Sequence, residues 1–178
     1  VGQLKTETVR RTSEPSAGIP KTLFKKILVA VDGSENSQRA ARAAVELADK
    51  LRAELIIFHA ISPPTTYYGS TYGSTVGMAP PPLSQKEIDA YYAYSRRVAL
   101  GIVGESVSEA KKLGINVKPE LAEGVTSIVE AIINHAKKEN TDLIVVGTRG
   151  LGGFKKMLMG SVSSGVISHA DCPVLVVR

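Results

Sequence analysis

Apolar side chains fall along the chain in two alternating patterns. Short, nearly unbroken runs occur at Ile27-Leu28-Val29-Ala30-Val31, Leu55-Ile56-Ile57-Phe58-His59-Ala60-Ile61, Leu143-Ile144-Val145-Val146 and Pro173-Val174-Leu175-Val176-Val177. Their length and β-branched content predict strands buried on both faces of a sheet. Between them the spacing becomes helical. Residues 34–52 place Ala40, Ala44, Leu47, Ala48 and Leu51 on one side and Arg39, Arg42, Glu46 and Asp49 elsewhere. Ile88, Tyr92, Ala99, Ile102, Ala110 and Leu113 mark a second helix, Ile128, Ile132 and Ala136 a third, and a short fourth is expected near 161–170. Ser84 with Glu87, and Ser127 with Glu130, have the S-x-x-E spacing of capping boxes. Gly101 and Gly104 each cost about 1 kcal/mol relative to alanine within a helix, so a bend can form there. A fifth strand over 115–121 contains Pro119, which cannot donate to a ladder and so predicts a sheet edge.

Five strands alternating with four helices predict an α/β fold: an open five-stranded parallel sheet with helices on both faces, Rossmann-like, because parallel neighbours need helical crossovers. Ligands of such sheets bind beyond the carboxyl ends of the strands, where strand order reverses. The loops at Asp32, Ala60 and Gly147 leave such ends. Residues 1–24 read as a flexible basic arm and 25–178 as one domain, with a long loop over 62–83 rich in Pro, Gly, Ser, Thr and Tyr.

The net charge of +5 invites a nucleic-acid or membrane partner until it is located. Residues 1–26 hold six basic and two acidic side chains, and the rest of the chain holds 16 and 15. The charge therefore belongs to the arm, and neither nucleic acid nor membrane is expected as a partner of the domain. The single cysteine, Cys172, excludes an intramolecular disulfide and suits a reducing compartment. With no apolar run of the roughly 18–20 residues that span a bilayer, and no apolar segment of a secretory signal at the start, a cytoplasmic location is expected.

Residues 147–163 carry the chemistry. Glycines after a buried strand let backbone N–H groups approach an anion, and a helix starting near Ser161 would aim its positive end at the same place. A flexible connection whose glycines only serve the fold is the competing reading. A Walker A loop is absent, and Asp32-Gly33-Ser34-Glu35-Asn36-Ser37 is not a dinucleotide fingerprint. The spacing G-x2-G-x9-G-[ST] is present, filled by Gly147, Gly150, Gly160 and Ser161. With Ile27 to Asp32 ahead of it and Ala170-Asp171-Cys172-Pro173-Val174-Leu175-Val176-Val177 behind it, the chain from about residue 25 to 178 resembles the universal stress protein family, in its ATP-binding, motif-bearing branch.

The resemblance implies roles. Ala30, Val31 and Asp32 would close the first strand beside the ribose and phosphates, and the Ala60 backbone would hold the adenine. Gly147, Thr148, Arg149 and Gly150 would face the ribose and phosphates, with Arg149 a further phosphate contact, and Gly160, Ser161, Val162 and Ser163 would cradle the phosphates. ATP is the implied cofactor, Mg2+ its companion with Asp32 nearby, and residues 173–178 the implied edge of a homodimer. The residues also have plainer uses. Asp32 could make a turn, Ser161 could cap its helix, and Lys155 and Lys156 could be solvated rather than phosphate ligands. His59, His135 and His169 lack metal-ligand spacing, and His135 falls on an apolar stripe where a packed neutral imidazole is expected. Cys172 reads as a small hydrophobe. Tyr67, Tyr68, Tyr72, Tyr91, Tyr92 and Tyr94 share one stretch, as local packing, a lid or a partner surface. The function expected is a nucleotide-dependent regulator in stress response. No base is evident for rapid hydrolysis, while slow hydrolysis or autophosphorylation stays open. The alternatives are an enzyme acting on the ATP phosphates, although the S-G-G-x-D-S loop of one such class is absent, and a nucleotide-free interaction module.

Overall fold

The computed structural model describes residues 23–64, 82–151 and 159–178. The expectations for the arm, for Tyr67, Tyr68 and Tyr72, and for Lys155 and Lys156 lie outside these residues. Nine elements follow one another: β1 (Lys26–Ala30), α1 (Glu35–Leu51), β2 (Glu54–Ile61), α2 (Gln85–Lys112), β3 (Val117–Glu123), α3 (Ile128–Lys138), β4 (Leu143–Gly147), α4 (Ser161–His169) and β5 (Val174–Val177). The strands form one sheet in the order β3-β2-β1-β4-β5, parallel throughout.

Strand alternation divides the core into two layers. Ile27, Val29, Leu55, Ile57, Leu143 and Val145 pack under α1 and α2 with Ala44, Val45 and Val103. Leu28, Ile56, Phe58, Ile144 and Val146 point the other way, to Ile132, Ile133 and Val166 of α3 and α4. Chain order runs outward from β1 to β3 on one side and through β4 to β5 on the other, so the reversal lies between β1 and β4. A charged network stitches the opposite, amino ends of the strands: Lys26 meets Glu54 at 3.5 Å and Glu139 at 3.8 Å, and Lys118 meets Glu139 at 3.2 Å.

Local chemistry sets most boundaries. Ser34 caps α1 by accepting from Ser37 N, and Ser84 and Glu87 form the full reciprocal box at α2. At α3 the Ser127 half of the expected box is made. Helix α2 runs unbroken through Gly101 and Gly104, and its buried stripe is Ala99, Val103, Ser106 and Ala110: Ala99 and Ala110 belong to the set expected from spacing, while Ile88, Tyr92, Ile102 and Leu113 are not fully buried. Nothing before Ala99 in α2 is buried, because that half of the helix extends past the sheet. Pro119 sits opposite Ile57 in the edge strand β3. Ser161 is the first residue of α4 and does not cap it; Gly160 holds the cap position, with no side-chain bond. Cys172 is half-buried against the second core layer, and burial pushes its thiol pKa up.

His135 packs on Phe58, ring centroids 4.9 Å apart, with its Nε2 buried and unpartnered among the described residues. Burial pushes its pKa below the ordinary 6.5, against the smaller upward pull of Glu120 and Glu139; Lys118 and Lys138 act with burial. Protonation therefore favours the unfolded chain. The stability held by the neutral ring is complete above the unfolded value and is lost as pH falls through that value toward the folded one. Urea unfolding at about pH 7.5 and about pH 5.5 should show a lower midpoint in acid, and His135→Phe should shrink that difference. An unchanged difference would contradict this role.

Candidate functional site

The loops after β1 and β4 are tied together by one carboxylate. Asp32 Oδ1 accepts from Ser34 N at 3.0 Å and Oδ2 from Leu151 N at 3.0 Å, while Asp32 N donates to Ser37 Oγ at 3.3 Å. Ser34 Oγ adds a bond to Arg149 O at 3.4 Å. Burial alone would raise the Asp32 pKa, but the bonds from Ser34, Ser37 and Leu151 outweigh it and hold the carboxyl below the ordinary value. Gly150 makes room for this clasp, since a Cβ there would collide with Asp32 Oδ2.

The motif glycines differ in what the fold demands of them. A Cβ on Gly147 would lie 2.8 Å from the Asn36 carbonyl carbon and 3.0 Å from Ser37 N, so the first turn of α1 packs directly on the end of β4. Gly160 has an ordinary φ of −81° and ψ of 164°. Among the described residues, a Cβ there would meet nothing nearer than Arg149 Cα at 3.4 Å, an ordinary contact. The described fold therefore explains glycine at 147 and 150, and no contact among the described residues explains it at 160.

Gly160 opens α4. Its N–H donates to Thr148 O at 2.8 Å and its carbonyl accepts from Ser164 N at 3.0 Å. The amides of Ser161, Val162 and Ser163 are then the first-turn donors that no helical carbonyl can reach. Ser163 is buried, and its Oγ lies 3.0 Å from both Thr148 O and Gly160 O, so its hydroxyl proton serves the backbone. The Ser161 side chain is exposed.

These parts border one cleft of about 840 Å3 above the carboxyl ends of β1, β2 and β4. Of the residues expected from the sequence, Ala30, Val31, Asp32, Ala60, Gly147, Arg149, Gly150, Gly160, Ser161, Val162 and Ser163 all line it. Thr148 does not: it is 9% exposed, with Oγ1 unpartnered among the described residues, and its N–H donates to Val177 O at 2.8 Å, so it joins β4 to β5 and anchors α4 through its carbonyl. The cleft also has walls made of residues that the sequence reading did not assign to a ligand. Tyr91, Tyr94 and Val98 of α2 line one side with Ile102, and Ile128 and Ile132 of α3 line the other. Their signal was present as a helical stripe at i, i+3, i+7 and i+11, beside the buried one.

Asp32 is the one carboxylate among the described cleft residues, and Arg149 the one guanidinium. His59 lines the cleft with Nδ1 2.8 Å from Val31 O; a carbonyl only accepts, so Nδ1 carries the proton and Nε2 the lone pair. His135 and His169 lie elsewhere, and among the described residues no three His, Cys, Asp or Glu side chains are grouped to hold a metal. The arrangement suits an elongated ligand, anionic at the α4 end and apolar at the α2–α3 end.

Comparison with known proteins places the whole domain. Residues 23–178 match the model of the universal stress protein family. The universal stress protein YxiE of Bacillus subtilis is 37% identical over 156 residues, covering 88% of this chain and all of that protein. Among solved structures, UspA of Lactobacillus plantarum superposes with a TM-score of 0.63 at 25% identity, over 87% of this chain and 98% of that one. A universal stress protein solved in complex with cAMP superposes with a TM-score of 0.57 at 26% identity, over 87% and 97%.

Proposed function

This chain belongs to the universal stress protein family, and from that membership and the form of its cleft we propose that it binds ATP, with Mg2+ as the nucleotide's companion, and acts as a nucleotide-dependent regulator in stress response. Gly160 carries the proposal. A glycine that no contact among the described residues requires, at the mouth of a helix whose first turn lines a cleft, leaves room for a ligand where a side chain would stand. The cAMP complex of a relative supports an adenine nucleotide as the ligand class.

In this reading the amides of Ser161, Val162 and Ser163 receive the phosphates, with Arg149 at their edge, and the base lies against the Ala60 backbone. Asp32 stands beside the ribose and is the side chain nearest in kind to a Mg2+ ligand, although its two oxygens already accept amide bonds. Asp32, the one carboxylate among the described cleft residues, has both oxygens occupied by backbone amides and is poorly placed to act as a base. That supports little or slow hydrolysis over an enzyme turning over the ATP phosphates. No helix among the described residues is long and apolar enough to cross a membrane, and a cytoplasmic location fits the proposal.

Ligand extracted from purified protein and identified by mass, together with turnover of added ATP, tests the reading. An adenine nucleotide and turnover near background are expected; rapid hydrolysis would replace the regulator with the enzyme. Among the described residues β5 also leaves an open edge beyond Val174–Val177, with Leu175 exposed, and a second copy pairing there would cover it. Sedimentation should then give twice the 18.9 kDa chain mass, and a monomer at micromolar concentration would contradict the dimer.

A further inference from the structure

The geometry points to Tyr94 as the residue that stacks on the nucleobase, an assignment that rests on the nucleotide reading and adds a base platform contributed by α2. The cleft-facing stripe of α2 is pinned at both ends. At one end Ile102 packs over the Asp32-Gly33 turn, 3.2 Å from where a Gly33 Cβ would stand. At the other, Tyr91 Oη donates to Ser62 O at 3.0 Å, two residues beyond Ala60. Val98 and Tyr94 lie between these points and face the same cleft. From Ile102 to Tyr94 is eight residues, about 12 Å of helix, the order of length of a nucleoside monophosphate. A ribose beside Asp32 with its base at Ala60 therefore comes under Val98 and Tyr94.

The side chains there are dressed for a ligand that is flat and apolar. Tyr94 is 59% exposed, Val98 42% and Ile128 38%, all on the rim of this one cleft. The Arg97 guanidinium lies over one face of the Tyr94 ring, 5.6 Å from its centroid, and such a contact steadies an exposed ring. Tyr91 is not equivalent, because its hydroxyl is bonded to Ser62 and its ring meets Tyr92 edge-on at 5.4 Å. Stacking is tolerant of base identity, so Tyr94 contributes affinity, and the choice of adenine falls to polar groups near Ala60.

Titration of ATP, ADP and GTP into the full chain and its variants tests this. Tyr94→Ala should weaken all three by about ten-fold or more, and Tyr94→Phe by less than about two-fold. Melting of the ligand-free protein should change in neither, as an exposed ring carries little of the fold. If Tyr94→Ala binds ATP as wild type does while Gly160→Glu with Ser161→Glu does not, stacking is overturned and the nucleotide reading stands. If wild type binds no nucleotide, both fall.

Discussion

Replacing Gly147 by alanine should damage the fold itself. The new methyl would stand 2.8 Å from the carbonyl carbon of Asn36, 2.9 Å from its oxygen and 3.0 Å from Ser37 N. None of these is the end of a flexible side chain. To relieve the contact, the first turn of α1 must move off β4, and Ser37, whose hydroxyl bonds Asp32 N and Ser34 O, would move with it. Overpacking against atoms that cannot rotate away costs about 2–3 kcal/mol, toward the upper part of the usual range. For a domain of this size that corresponds to a melting temperature lower by about 5–10 °C. Thermal unfolding followed by circular dichroism checks it. A Gly147→Ala protein as stable as wild type would mean that α1 does not approach β4 as closely as described.

The paired substitution Gly160→Glu with Ser161→Glu should do the opposite, leaving the fold intact and removing the ligand. Neither position is crowded: the Gly160 Cβ direction is open to ordinary contact distance, and the Ser161 side chain is exposed. Carboxylates at the start of a helix are electrostatically favourable, so α4 should be no less stable without ligand. The same carboxylates occupy the place of the phosphates and repel them from the amides of Ser161, Val162 and Ser163. Affinity for ATP should fall by at least about a hundred-fold, about 2.7 kcal/mol. The unliganded melting temperature should stay within about 2 °C of wild type. Calorimetric titration read beside a thermal melt separates these effects, and undiminished ATP binding by the variant would refute the phosphate cradle. Gly147 and Gly160 belong to one motif, yet one should fail in stability and the other in binding.

That division was not legible from spacing. The motif marks both glycines alike, and only the position of α1 over the end of β4 shows that Gly147 is required by backbone packing. The strands were legible because burial on both faces leaves unbroken apolar runs, as at Leu55 to Phe58, and the sheet edge at β3 because Pro119 cannot donate. Ser34 and Ser84 reach only three residues ahead, so their caps belong to short-range sequence. Long-range relations were hidden. The bond from Leu151 N to Asp32 crosses 119 positions, and the inward turn of Thr148 follows from its pairing with Val177. Tyr94 was noticed only as one of six tyrosines. Its place on the cleft depends on α2 extending past the sheet, so that one stripe of the helix is core at Ala99 and Val103 while its neighbour overhangs the site. The net charge of +5, mostly located in residues 1–26, is silent on the proposed anion site for a similar reason, since that site is made of amides that no charge count includes.

The central claim is that the amide cradle at α4 holds the phosphates of an adenine nucleotide. Titration of ATP into the purified wild-type chain, stripped of bound ligand, by isothermal calorimetry tests it most directly. One saturable site per chain is predicted, with ATP favoured over GTP. Absence of any binding by a folded, ligand-free protein would contradict the account.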